Sequence, residues 1–136
     1  MGSKVMGQAG FTLIELLVVL TLMSAMSAIV APKLWGQYVN FSERSAVEQW
    51  VNVISKQVQQ ARLNTDHYTF YPENDYLQTQ AQRLALTIVS GETILFRHDG
   101  VSSGGTIVLQ TEGGRRWQVV VAPLDGGVNI ARQIVQ

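Results

Sequence analysis

The amino-acid sequence predicts an α+β protein, in which one long N-terminal helix packs on an antiparallel β-sheet meander. Residues 11–31 form an apolar run that contains a single charged residue. Residues 32–63 continue with apolar positions three or four apart, which is the periodicity of an amphipathic helix. Residues 64–136 alternate short β-prone runs with turn signals. A sheet built from them must bury one face, and the amphipathic helix offers the matching surface.

The apolar run is long enough to cross a membrane. As a helix, residues 11–31 would span roughly 32 Å at 1.5 Å per residue. The one charged residue in the run is Glu15, and an ionised carboxylate at such a depth costs about 2.5–3.5 kcal/mol on insertion scales. An intramembrane carboxylate is typical of a functional group with a partner charge. Because the run contains no basic residue, we expect a neighbouring copy to supply that charge.

A cut between Gly10 and Phe11 would create the missing positive charge. The new α-amine would lie at Phe11, one helical turn from Glu15. In a bundle of such helices, the amine of one copy could pair with Glu15 of another, so that each compensates the other's burial. The pairing would also fix how far one helix can slide along the next.

The same residues carry a family resemblance. The segment Gly10-Phe11-Thr12-Leu13-Ile14-Glu15 follows a short leader with Lys4 and precedes an apolar helix with Pro32. It resembles the processing site of type IV pilins and type II secretion pseudopilins. The resemblance implies that a membrane aspartyl peptidase, the prepilin peptidase, cuts after Gly10 and methylates Phe11. It also matches Glu15 to the buried glutamate of the family and Pro32 to its helix-breaking proline.

The resemblance further implies a topology and a division of the chain. Residues 1–10 would be a cytoplasmic leader, residues 11–31 a transmembrane and assembly helix in the bacterial inner membrane, residues 32–63 its amphipathic continuation, and residues 64–136 a periplasmic β-sheet domain. A cleaved signal peptide ending near Ala25-Met26-Ser27 is an alternative, but Glu15 would then lie inside its apolar core. A plain single-pass anchor leaves Glu15 unexplained.

The second half of the long helix has its own pattern. Proline at position 32 removes a backbone hydrogen bond, so we expect the helix to bend or loosen there. Trp35 and Tyr38 follow where the membrane interface would lie. The apolar stripe of residues 47–61 is the predicted sheet-packing face, and the polar residues, Glu43 among them, fall largely on the other side.

Residues 64–136 are predicted to form strands joined by turns. A β-prone run covers 67–71, and strands are predicted at 83–89, 93–97, 106–111 and 117–122. Asparagine, aspartate and proline residues predict turns at 64–66 and 72–75. Glycine pairs predict turns around 104–105 and 113–114.

The spacing of strands and glycines from Phe96 to Ile130 is similar to the closing repeat of the GspH/FimT family. This family includes the H-type minor pseudopilin of type II secretion. The resemblance implies a minor pseudopilin that joins a short filament with other pseudopilins, major and minor, through the N-terminal helix. The alternative is a minor type IV pilin, like the FimT branch, that binds DNA in natural transformation.

Composition excludes several other functions. The formal net charge is 0, which gives no electrostatic footprint for nucleic acid and argues against nucleic acid as a partner. The chain has no cysteine, which excludes disulfides, thiol catalysis and thiolate metal sites. Its two histidines, His67 and His98, lack a ligand spacing and are interpreted as surface residues at strand ends.

An acidic cluster and a basic-aromatic cluster could each be a binding site or an ordinary surface feature. Asp66, Glu73 and Asp75 could line a calcium loop, but the spacing of known loops is missing and a solvated turn is preferred. The cluster Arg115-Arg116-Trp117 could contact single-stranded DNA, but a hairpin surface is preferred. The sequence therefore predicts no enzyme, no cofactor, no metal site and no catalytic residue.

Overall fold

The structure, a computed structural model, describes Gly2 and residues 10–134. Residues 1 and 3–9, which hold Lys4 and most of the predicted leader, lie outside the described residues, as do residues 135–136. The chain divides after Val39 into two compact units, which we call the N-terminal unit and the C-terminal unit.

The elements follow one another in the order α1, β1, α2, β2, β3, β4, β5 and β6. Helix α1 covers Leu13–Leu63, so it belongs to both units, and it runs through Pro32. The remaining elements all lie in the C-terminal unit: β1 (Tyr68–Phe70), α2 (Asp75–Arg83), β2 (Leu86–Gly91), β3 (Ile94–Phe96), β4 (Gly105–Thr111), β5 (Arg116–Val121) and β6 (Val128–Gln133). The predicted α+β class, a long N-terminal helix packed on antiparallel sheets, is confirmed.

The strands divide between two sheets. Strands β1 and β3 pair with each other, and the other strands form an antiparallel sheet in the order β2-β4-β5-β6. Strands β4, β5 and β6 are a true meander, whereas β2 reaches β4 past the small sheet that contains β3. The predicted meander therefore describes three of the four strands of the larger sheet.

The core lies between the second half of α1 and the inner faces of the sheets. The helix buries Val47, Trp50, Ile54 and Val58, which are three or four residues apart. Strands β4 and β5 contribute alternate residues, namely Ile107, Leu109, Trp117, Val119 and Val121. The apolar stripe predicted for residues 47–61 is thus confirmed as the face that packs on the sheet.

Helix α2 was not predicted. The sequence interpretation of 72–75 as a turn holds for Pro72 and Glu73, but Asn74 is the N-cap of a helix and its side chain accepts a hydrogen bond from the Leu77 amide at 3.2 Å. Only Leu77 and Ala81 of this helix are buried, so its apolar stripe is too short to stand out in the sequence.

Strand β2 begins later in the chain than predicted. The predicted strand 83–89 is observed as Leu86–Gly91, because Arg83 still belongs to α2 and Ala85 has a φ of 57°. A left-handed residue at this point turns the chain out of the helix before the strand begins. Gly105, interpreted as part of a turn, is the first residue of β4.

Candidate functional site

The N-terminus of α1 is closed by a reciprocal pair of hydrogen bonds. The Thr12 backbone N–H donates to Oε2 of Glu15 at 3.0 Å, and the Glu15 backbone N–H donates to the Thr12 hydroxyl at 3.3 Å. This arrangement is a capping box, which supplies acceptors for two amide donors that have no partner within the helix. Glu15 therefore accepts a hydrogen bond within its own chain. The sequence analysis missed this bond, although Thr12-Leu13-Ile14-Glu15 has the residue spacing of a capping box.

The predicted cleavage site lies directly before this cap. Gly10 and Phe11 are outside the helix. Among the described residues, no heavy atom beyond the adjacent residues lies within 4 Å of where a Gly10 side chain would begin. The Phe11 side chain is 86% exposed. The peptide bond between them is therefore accessible and extrahelical, as a proteolytic site requires. Its use as such stays a prediction.

The N-terminal unit leaves its apolar surface uncovered. Every described residue from Gly10 to Tyr38 is exposed, including the large apolar side chains along α1. Within the described residues, α1 is the one helix long and apolar enough to cross a membrane. A continuous apolar surface of this size marks a site for lipid or for other protein surfaces.

Pro32 and the aromatic pair occupy the far part of this unit. Pro32 lies inside α1, which continues on both sides of it. The rings of Trp35 and Tyr38 lie 6.0 Å apart, and both side chains are exposed. Their predicted level at a membrane interface stays a prediction.

Comparison with known families adds an independent finding. Residues 5–31 match the family model described as the prokaryotic N-terminal methylation motif. The chain carries a type IV pilin-like prepilin signal. Such a signal implies processing by a prepilin peptidase and assembly with other pilin-like subunits, and it suggests a structural protein. Together with the apolar helix, the signal fits anchoring in an inner membrane.

The match spans the predicted cleavage site, Glu15 and the apolar run, and it ends at Ala31. The amphipathic half of α1 and all the strands lie outside it. In the other two comparisons, this chain matches no curated protein and no solved structure.

A second polar site joins the helix to the sheet within the C-terminal unit. The Arg115 guanidinium donates to both carboxylate oxygens of Glu43, with Nε 2.9 Å from each, and the Trp117 indole N–H donates to Oε2 at 3.2 Å. The Glu43 side chain is only 11% exposed. Glu43, predicted on the side of the helix opposite the apolar stripe, contacts Trp117 of strand β5 instead.

The Glu43 carboxylate is held in its charged form. Burial by itself would raise its pKa, but hydrogen bonds from Arg115 and Trp117 outweigh this effect, and the pKa lies below its ordinary value. The partners are more than 70 residues apart in the chain. No local pattern could have identified the pairing.

The same contacts leave only part of the Arg115-Arg116-Trp117 cluster exposed. The Trp117 side chain is 5% exposed, so its ring is not free to stack on a nucleotide base. Arg115 is paired with Glu43, which leaves Arg116 exposed. A surface depression beside them is lined by all three arginines of this corner, Arg115, Arg116 and Arg132.

The acidic residues considered for a calcium loop do not meet. Asp75 opens α2, and Asp66 accepts a hydrogen bond from the His67 backbone at 2.8 Å. Among the described residues, no group of three or more histidine or carboxylate side chains is placed to hold a metal ion. His67 and His98 are exposed, as predicted, but their rings lie close together.

Proposed function

We propose that this chain is a minor pseudopilin, a non-enzymatic subunit of the short filament of a type II secretion system. The observation that carries the proposal is the uncovered apolar surface of α1, whose first part lies within a prepilin-type signal. An apolar surface that none of the described residues covers needs lipid or other helices. A pilin-like subunit meets both environments in turn, first when it is stored in the membrane and then when it is assembled.

The proposal assigns a role to each part of the chain. Residues 1–10 are a leader that the prepilin peptidase removes after Gly10, and Phe11 becomes the methylated N-terminus. Residues 11–31 hold the subunit in the inner membrane and later join the helices of other pseudopilins. Residues 32–63 continue the helix beyond Pro32, and residues 64–136 form a periplasmic domain that offers its surface to other minor subunits.

The capping box supports the predicted role of Glu15 in assembly. Cleavage after Gly10 leaves Thr12 and Glu15 in the mature chain, so the cap survives. The cap uses Oε2 of the carboxylate, while Oε1 accepts no hydrogen bond among the described residues. That oxygen is available to the Phe11 amine of another copy, which would compensate both charges in a medium without water.

Two substitutions at Glu15 separate the cap from the charge. Glutamine can still accept the Thr12 hydrogen bond but carries no charge, whereas leucine can do neither. We expect both Glu15→Gln and Glu15→Leu to insert into the membrane, as measured by carbonate extraction, and both to be lost from the filament fraction that is cross-linked to partner subunits. Glu48→Gln, an exposed position on the same helix, is the matched control.

Different outcomes test the charge pairing at Glu15 and the filament proposal separately. Normal assembly of Glu15→Gln would contradict the charge pairing and leave the cap as the function of Glu15. A mature chain that keeps residues 1–10, found by mass spectrometry, would contradict the filament proposal itself.

A minor type IV pilin that binds DNA is the second candidate, and the depression lined by three arginines is the observation that favours it. Arginine side chains contact phosphates, and binding through them weakens steeply with salt. A mobility shift at low salt that is lost in Arg116→Gln and Arg132→Gln, but kept in Arg62→Gln, would support it. Absence of a shift at low salt would contradict it.

A further inference from the structure

The two histidines of this chain meet at one end of the small sheet. His67 directly precedes β1, and His98 lies two residues after the end of β3. The pairing of Tyr68 with Phe96 fixes the register of these strands, and it brings the two imidazole rings to a centroid distance of 5.1 Å with a tilt of 46°. Both side chains are exposed to solvent. Residues more than thirty positions apart are thus neighbours on an open surface.

The backbone on both sides of the pair is constrained. The Arg97 amide donates to the Val101 carbonyl at 2.8 Å, and the Gly100 amide donates to the Arg97 carbonyl at 3.1 Å, so that His98 lies inside a closed turn. On the other strand, the His67 amide donates to the Asp66 carboxylate at 2.8 Å. The spacing of the two Cα atoms is therefore set by the fold, and only side-chain rotation remains.

The neighbouring carboxylates are engaged elsewhere. Asp66 is bonded to the His67 backbone, and Asp99 accepts from the Val101 amide at 3.1 Å and pairs with the Arg97 guanidinium at 2.7 Å. Among the described residues, no hydrogen bond involves an imidazole nitrogen of either histidine. The ring nitrogens of both residues are therefore available to an external ligand.

We propose that His67 and His98 form an open two-imidazole site for a divalent transition-metal ion of the zinc, nickel and copper class. Neutral imidazole is a preferred ligand of these ions, whereas Ca²⁺ and Mg²⁺ prefer oxygen ligands. The protein supplies two imidazole ligands, and water completes the coordination. Such a site is weaker than a structural zinc site with four protein ligands, and it keeps positions open for a further ligand.

The bound ion would join β1 to β3. These strands are short and form a sheet of two strands, so a bridge between their ends restricts how far they can separate. An ion that binds the folded but not the unfolded chain stabilises the fold in proportion to its saturation. Metal binding and the thermal stability of the C-terminal unit should therefore change together.

The test uses the full chain in detergent micelles and titrates it with Ni²⁺ by calorimetry. We expect equimolar binding by the unchanged chain, and a loss of affinity of about tenfold or more in either His67→Gln or His98→Gln, because a chelate needs both rings. The double variant should also lose the weak binding by the one imidazole that each single variant keeps. Asp99→Asn is the matched control and should keep the affinity, and an equal concentration of Mg²⁺ should not compete.

Several results would overturn the proposal. Unchanged Ni²⁺ affinity in either histidine variant would place the ion elsewhere. Two ions bound per unchanged chain, and one per single variant, would indicate two independent imidazoles. A comparable loss in Asp99→Asn would make the site a carboxylate site. Electron paramagnetic resonance of the unchanged chain with Cu²⁺ gives a readout that needs no variant: two coordinated imidazole nitrogens support the site, and fewer contradict it.

Discussion

The two halves of helix α1 carry apolar residues into opposite environments. Before Val39, large apolar side chains such as Leu20 and Val30 are about half exposed or more, whereas Val47, Trp50, Ile54 and Val58 in the second half are buried inside the C-terminal unit. The difference lies in how the apolar residues are distributed around the helix. A stripe can be covered by a sheet on one side, but a helix that is apolar all round must be surrounded. The first half therefore depends on lipid or on other subunits, and the second half supplies its own core.

The largest expected effect tests this contrast directly. Trp50 is fully buried, its indole N–H donates to the Leu77 carbonyl at 3.1 Å, and its ring meets Phe70 edge-on at 6.0 Å. Trp50→Ala should lower the free energy of unfolding of the C-terminal unit by about 3–5 kcal/mol. Leu20→Ala, in the exposed half, should leave it unchanged in denaturant unfolding of the detergent-solubilised chain. Equal effects of the two variants would break the contrast.

The next effect concerns the polar contact between helix and sheet. Glu43→Leu removes the acceptor of Arg115 and of the Trp117 indole, and we expect a loss of about 2 kcal/mol, because the donors lose a charged partner near the core. Glu48→Leu removes only the exposed pair with Arg44, and such pairs contribute about 0–1 kcal/mol. Denaturant midpoints of both variants measure the difference. Similar losses would mean that the burial of Glu43 contributes nothing to stability.

A smaller effect should appear as a dependence on pH. The pKa of Glu43 is lowered in the folded chain, so its contribution is fully present above the ordinary glutamate pKa of about 4.3 and is lost as pH falls through the lowered value. The difference in melting temperature between the unchanged chain and Glu43→Gln should therefore shrink from pH 7 to pH 3. The corresponding difference for Glu48→Gln is the control. A melting-temperature difference for Glu43→Gln that stays constant from pH 7 to pH 3 would contradict the lowered pKa of Glu43.

The smallest effect belongs to the exposed half. Thr12→Val removes the hydroxyl that accepts the Glu15 amide hydrogen and should destabilise the first turn of α1 by about 1 kcal/mol. Faster amide hydrogen exchange confined to residues 13–16 in micelles would show it. Thr21→Val is the matched control, because the Thr21 hydroxyl only bonds the Leu17 carbonyl within the helix. An equal change in both variants would contradict the capping role.

Much of the fold could be predicted because its signals are local. The buried stripe of α1 and the four strands that form the larger part of the sheets follow from periodicity and from glycine turns, which depend on neighbouring residues. Helix α2 was missed because two buried residues are too few to produce a periodic pattern. The division into two sheets was missed because β3 pairs back with β1 across an intervening helix and strand, and no local signal encodes that choice.

By itself, the sequence determined the prepilin-type signal, the apolar run with Glu15 one turn from Phe11, and the α+β class, since each depends on residues close together in the chain. Only the tertiary structure decided that Glu43 is a buried partner of Arg115, that the ring of Trp117 is covered, and that His67 meets His98. Those facts follow from which strands pair and in which register. Register is set by how the whole core packs and not by any segment alone.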